Sequence, residues 1–297
     1  MSLDLRGNAP APRTTADGHG RAAKAGSPGR LLHLWSWIWP KALAVFIVIG
    51  IWQCAVWAEW KPTYVLPSPA TVFSRLWDEI LGNSVTDKTL WDQVALTMQR
   101  GLVGYALAIL IGTLLGIAVV QWQVMRLAIA SMIAGLQTMP SIAWFPLAIL
   151  LFGLTETAIL FVVVLGAAPS IAAGVIAGID EVPPPLLRAG HMLGARGIAR
   201  YRFVVLPAAM PTYLMGLKQG WAFSWRSLLA GELLVPIGGA ASLGSALTFA
   251  RTVPNGAPWL LSLMIVILVI GMVVDAIFGV ITRRVRENRG LTGVVGS

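Results

Sequence analysis

The sequence predicts an all-α polytopic membrane protein with six transmembrane helices and both termini in the cytoplasm. Three observations carry that prediction. First, the 297 residues are 57% hydrophobic and only 12% charged, where a soluble globular domain carries about 25% charged residues. Surface that faces lipid accounts for the deficit. Second, six stretches approach the roughly 20 mainly apolar residues that a helix needs to cross a bilayer: 41–58, 99–120, 128–152, 157–178, 206–230 and 258–281. Third, Lys and Arg are unevenly placed. With the N-terminus inside, 15 of the 22 fall in cytoplasmic segments and 5 outside, while Lys218 and Arg226 lie within the fifth span. That bias is the positive-inside pattern. The formal net charge of +9 therefore reads as membrane topology and not as a nucleic-acid surface.

The elements follow in order. Residues 1–30 are rich in Ala, Gly, Pro and Arg without periodicity, the composition of a disordered cytoplasmic tail. They lack the short apolar region and small-residue cleavage site of a secretory signal. Residues 31–285 form the transmembrane domain, and 286–297 a cytoplasmic C-terminal tail. Between spans one and two, an amphipathic helix starts at Pro69 and places Val72, Phe73, Leu76 and Ile80 on one side. It is either a docking element at the membrane surface or a connector packed on the bundle, the second being favoured. Span three contains Pro140 and Pro146. Each removes a donor from the helix ladder, and freed backbone at membrane depth is tolerated where it faces protein or a water-filled cavity.

The segment 179–205 is the most basic loop. It opens Ile179-Asp180-Glu181-Val182-Pro183-Pro184-Pro185, which cannot continue the fourth helix but suits the first turn of a new one. A short helix is expected from Pro185 to Leu193, with Leu186, Ala189 and Leu193 on one face and Arg188 and His191 on another. Gly194 and Gly197 permit a sharp turn. A second short segment then carries Arg196 and Arg200, and Leu206-Pro207 opens span five. An apolar face with a basic rim suits a partner's groove. It equally suits an anchor on anionic lipid.

This stretch resembles the cytoplasmic EAA loop of the inner-membrane permeases of ABC importers: Glu-Ala-Ala, three residues, Gly, nine residues, Ile-x-Leu-Pro. Aligned on Gly194, the ending reads Val204-Val205-Leu206-Pro207, with Val for Ile. The start reads Arg188-Ala189-Gly190, so only the central Ala fits. At Arg188 the contact that an acid makes elsewhere is absent, inverted or taken over by Asp180 or Glu181. Leu66-Pro67-Ser68-Pro69, the run from Met139 to Leu147, and the segment from Trp221 to Glu232 resemble the sulfonate, taurine and nitrate importers. The resemblance covers roughly residues 40–285.

It implies a type I ABC importer (MetI-like) permease fold in the bacterial inner membrane, working as a homodimer. Its partners would be two ATPase subunits, which use ATP and Mg, an extracytoplasmic substrate-binding protein, and membrane lipid. The coupling residues would be Arg188, Ala189, Gly190, His191, Leu193, Gly194, Arg196, Leu206 and Pro207. The substrate would be a small anion, with an aliphatic sulfonate first and taurine or nitrate next.

Ionisable groups inside a membrane tend to be functional. Lys218 and Arg226 are therefore candidates to line an anion path, with pairing to Glu232 or snorkelling as the plainer reading. Arg226 and Glu232 are six apart, so one straight helix does not join them. Asp275 is expected to be structural, near Arg283 and Arg284. Met139, Pro140, Trp144, Phe145, Pro146, Trp221, Trp225, Arg226 and Glu232 are candidates for the translocation path, although aromatics in membrane helices usually pack or anchor at interfaces.

The chain has no GxxxxGK[ST] phosphate loop, so it binds no ATP itself and any ATPase is a partner chain. One cysteine, Cys54, and three scattered histidines make no metal site and no intramolecular disulfide. A secondary transporter is the alternative, disfavoured because the acids are few and near span ends. A membrane enzyme ranks last for want of a catalytic constellation.

Overall fold

The computed structural model describes residues 30–84, 86–235, 237 and 241–287. The expected tail over 1–30 lies almost wholly outside the described residues, as does 288–297. Every regular element described is helical. The chain divides into two compact units, Met1–Ile51 and Trp52–Ser297.

The first unit holds most of helix α1, Arg30–Trp57. The helix starts eleven residues before the apolar run and carries Pro40 within it. Its Trp39–Trp57 portion is long and apolar enough to cross a membrane.

The second unit is built around α6, Glu156–Asp180. Helix α3, Leu90–Gln121, packs along one side of it and α9, Leu206–Leu234, along the other. The reason is side-chain size. On α3, Gly104, Ala108, Gly112 and Gly116 recur every four residues and are all buried, the small-residue stripe that lets membrane helices approach closely. On the other side Gly174 of α6 faces Gly216 of α9. A Cβ on either would lie 2.7 Å from the other's Cα, so these backbones touch. The core between the helices is filled by Phe145, Ile159, Val162, Val163, Ile171 and Leu228.

Span three is not a continuous helix. Helix α4, Gln123–Thr138, ends at Met139, whose extended backbone is what a following proline demands. A short 3-10 turn, Ser141–Trp144, leads into α5, Phe145–Phe152. The segments on either side of the break are bent by 96°. Pro140 makes this break; Pro146 does not, because it sits in the first turn of α5, where its missing N–H costs nothing.

Among the described residues four helices are long and apolar enough to cross a membrane: the Trp39–Trp57 part of α1, α3, α6, and α11, Ala257–Glu287. The bent pair makes a fifth if it is one span. Helix α9 has the length, at 29 residues, but its Lys218, Gln219, Arg226 and Glu232 dilute its apolar character.

Helix α2 runs Pro69–Ile80 as expected, capped by Ser68, whose hydroxyl accepts from the Thr71 N–H at 3.3 Å. It packs on α11, which is the connector arrangement. The buried side differs from the expectation. Val72 and Glu79 are buried, whereas Phe73 and Ile80 are exposed. Glu79 is neutralised by an ion pair with Arg75, one turn earlier. The inward face keeps Val72 and the half-buried Leu76 and runs on through Glu79 in place of Ile80.

Candidate coupling loop and translocation face

The loop between α6 and α9 begins with α7, Pro184–Met192, within one residue of the expected helix. Pro184 and Pro185 form its first turn. Gly194 and Gly197 have φ of 83° and 53°, a left-handed backbone that side-chain-bearing residues rarely adopt. The second segment is shorter than expected. A single turn, α8, covers Ile198–Arg200, followed by a π turn, Tyr201–Val205, that runs directly into α9. Arg196 precedes this helical stretch, so Arg196 and Arg200 do not share one helix face.

Gly190 explains how the loop is held. It is buried, and a Cβ there would lie 2.7 Å from Val204 Cγ2. Helix α7 thus rests on the π turn through a position with room for hydrogen only. The remaining loop residues turn outward. Met192, Leu193 and Ile198 are 81%, 88% and 86% exposed, and Arg188, His191, Arg196 and Arg200 are exposed beside them. Leu186 is also open, Ala189 is half-buried, and Leu206 and Pro207 are exposed at the root of α9. Leu193 lies just past the end of α7, not within it.

The acids at this end have partners in the chain. Asp180 forms an ion pair with Arg126, and Glu181 accepts from the Thr212 hydroxyl at 2.6 Å.

Helix α9 buries one side and opens the other. Trp221 and Trp225 are buried and stacked, with ring centroids 6.1 Å apart, and Tyr105 meets Trp221 edge-on at 5.2 Å. These aromatics are core. Met215, Gln219 and Arg226, spaced by four and seven, form an exposed stripe. Arg226 lies over the Phe223 ring at 5.0 Å and donates to its own helix at Ala222 O, 3.0 Å away. The break in span three lies beside this helix. The bend residue Ser141 and Ser227 of α9 converge on Gly166 of α6, where a Cβ would meet Ser227 Oγ at 2.6 Å and Ser141 Cβ at 3.5 Å. Met139, Pro140 and Pro146 are exposed and Trp144 half-buried, whereas Phe145 is buried in the core.

The charged candidates pair differently from the sequence expectation. Lys218 meets Asp275 of α11 at 2.9 Å, and Asp275 does not pair with Arg283 or Arg284. Glu232 is 2% exposed and turned into the bundle. It accepts from Thr97 Oγ1 at 3.0 Å, from the Gly244 N–H at 3.1 Å and from Arg100 Nη1 at 3.4 Å. Arg100 also donates to Glu156 at 2.6 Å. Glu232 therefore joins α3, α9 and the start of α10, Leu243–Ala250, where helix N–H groups stabilise an anion. Sequence reasoning missed Arg100 and Thr97. The available signal was that a buried acid requires a nearby cation.

The family comparison decides what this scaffold is. The model of the binding-protein-dependent transport system inner membrane component matches residues 104–287. The chain belongs to that family. As a binding-protein-dependent inner membrane component it is similar to a nitrate import permease protein, NrtB, of Leptolyngbya laminosa. The two are 29% identical over 83% of this chain and 87% of the relative. It is similar to the taurine transport system permease protein TauC of Escherichia coli, 29% identical over 67% and 74% of the two chains. Among solved structures, an amino acid ABC transporter crystallised with histidines shares the fold. The TM-score is 0.51 with 18% identity, covering 73% of this component and 95% of that chain. This component is a multi-pass ABC importer permease of the inner membrane.

Proposed function

We propose that this permease forms the path for a small anion and is driven through the α7 loop by a separate ATPase. The observation that carries the coupling assignment is the apolar surface of that loop. Met192, Leu193 and Ile198 are more than four-fifths exposed on a segment fixed to the bundle by the Gly190–Val204 contact. Exposed apolar side chains on the spans can face lipid. On the loop beyond the end of α6, with Arg188, Arg196 and Arg200 exposed beside them, they suit a protein groove that accepts a short helix.

The acid that the family signature carries at position 188 is replaced, and Asp180 and Glu181 are engaged within the chain. The inverted alternative is thus favoured: the ATPase groove would present acidic groups to Arg188. Two ATPase subunits, which use ATP and Mg, a second permease copy and an extracytoplasmic binding protein complete the transporter in this reading.

The relatives named for nitrate and taurine support a small oxyanion as cargo. An aliphatic sulfonate comes first, with taurine or nitrate next. Arg226, exposed on α9 one residue before the Ser227 that meets the broken span at Gly166, suits such cargo. Glu232, Trp221 and Trp225 support that face from within. Reconstitution with the ATPase and binding protein in liposomes tests the reading. ATP-dependent uptake of ethanesulfonate, taurine or nitrate supports it. Uptake of none of them by the assembled transporter contradicts the anion assignment.

A further inference from the structure

A groove of about 390 Å³ runs between α3, α6, α9 and the π turn. Its walls are apolar: Ile117 and Val120 of α3, Val175 and Ile179 of α6, Ala209 and Met210 of α9. At its inner end the Thr113 and Tyr213 hydroxyls bond to each other at 2.8 Å, so they demand nothing of an occupant. At its mouth stand Gln121, Tyr201 and Val205. Among the described residues no charged side chain lines it.

The dimensions select the occupant. Gln121 and Thr113 are eight residues apart on α3, about 12 Å at the rise of an α-helix. One leaflet of the hydrocarbon core is about 15 Å thick. The groove therefore runs through most of one leaflet. It starts at the level where Trp122 and Tyr201 are exposed, the place that aromatic residues take at a membrane surface. Spread over that length, the 390 Å³ makes a channel roughly 6 Å across. A helix with its side chains is about 10–12 Å across, too wide to enter, whereas a hydrocarbon chain fits. The groove opens between α3 and α9, where Ile117 and Leu206 are exposed, and Leu110 and Leu114 continue that apolar face along α3.

The mouth is basic. Tyr201 stands between Arg200 and Arg202, both exposed, and the chain holds no Asp or Glu from 182 to 231. Of the two acids just before that stretch, Asp180 is paired with Arg126, and Glu181 lines a separate cavity on the opposite side of α6 and α9. We infer that the groove holds one acyl chain of a lipid with an anionic headgroup, drawn from the leaflet nearest the α7 loop, with the headgroup phosphate against Arg202. Val205 adjoins Val204, on which Gly190 of α7 rests, so the chain packs at the root of that loop. The site depends on neither the cargo nor the ATPase.

Native mass spectrometry of the full chain tests it, after delipidation in detergent and titration with phosphatidylglycerol or with phosphatidylcholine of the same acyl chains. The first phosphatidylglycerol is expected to bind about fivefold more tightly, the scale of one basic residue at an anionic surface. Arg202→Gln is expected to bring the two lipids level, and Met210→Trp to weaken both about tenfold by filling the groove. Ile117→Trp, at the exposed edge, serves the same purpose should Met210→Trp fold poorly. Leu114→Trp, exposed on α3 outside the lining, should change neither lipid. No preference in the parent, a preference that survives Arg202→Gln, undiminished binding in the groove-filling variants, or an equal loss from Leu114→Trp overturns the site. Binding to single chains but not to dimers would give the groove to a second copy and overturn it as well.

Discussion

Arg100 and Glu232 are 132 residues apart in sequence and 3.4 Å apart in the structure. Both are buried. Their pairing closes the end of the bundle opposite the α7 loop, linking α3 to α9 and, through the Gly244 N–H, to α10. Glu232, a candidate for the transport path by sequence, is in the structure the joint between these three helices.

Removing one partner of that joint leaves an uncompensated buried charge. Arg100→Met is therefore expected to destabilise the purified permease by about 3–5 kcal/mol. Arg100→Met combined with Glu232→Gln should recover most of the loss. Thermal unfolding in detergent reads both. A single variant as stable as the parent would show that the pair carries no structural role.

Gly216→Leu should prevent α9 from reaching α6. The added side chain starts 2.7 Å from the Gly174 Cα, and backbone cannot rotate away as a side chain can. The cost should reach at least the upper end of the about 1–3 kcal/mol typical of overpacking. The amount of folded chain recovered from membranes measures it. Gly50→Leu, where nothing lies within 4 Å, serves as the control and should be neutral.

Gly190→Val tests the seating of α7. The new side chain meets Val204, so the loop must lift while the spans stay folded. ATPase activity of the reconstituted transporter should persist or fall, but its stimulation by substrate-loaded binding protein should drop by tenfold or more. Retained stimulation would separate loop seating from coupling.

A cysteine replacing Arg200, in a Cys54→Ala background, should react with impermeant reagents only from the cytoplasmic side. The residue is exposed, so accessibility is not limited by burial. Labelling from outside would reverse the orientation read from the Lys and Arg bias.

The helices were legible because apolar runs and proline punctuation are local signals. The starts of α2 and α7 follow from Ser68-Pro69 and from the prolines at 183–185. The break at Pro140 was visible as a proline, but its 96° angle was not, since the bend is set by how the turn packs on Gly166 and Ser227. The ion pairs were illegible for a different reason. Lys218 with Asp275 and Arg100 with Glu232 join distant helices, and only packing brings them together. The Gly190 departure from the family signature became intelligible once Val204 was seen against it.

The most direct test of the coupling assignment is quantitative co-purification of the tagged full chain from its native membrane, compared with Leu193→Asp. Leu193 is 88% exposed, so the substitution should change stability by no more than about 0.5 kcal/mol. The parent is expected to retain one ATPase subunit per permease chain, and the variant to lose most of it while remaining folded. A parent that purifies alone, or a variant that keeps its ATPase in full, would contradict the assignment of the α7 loop as the coupling element.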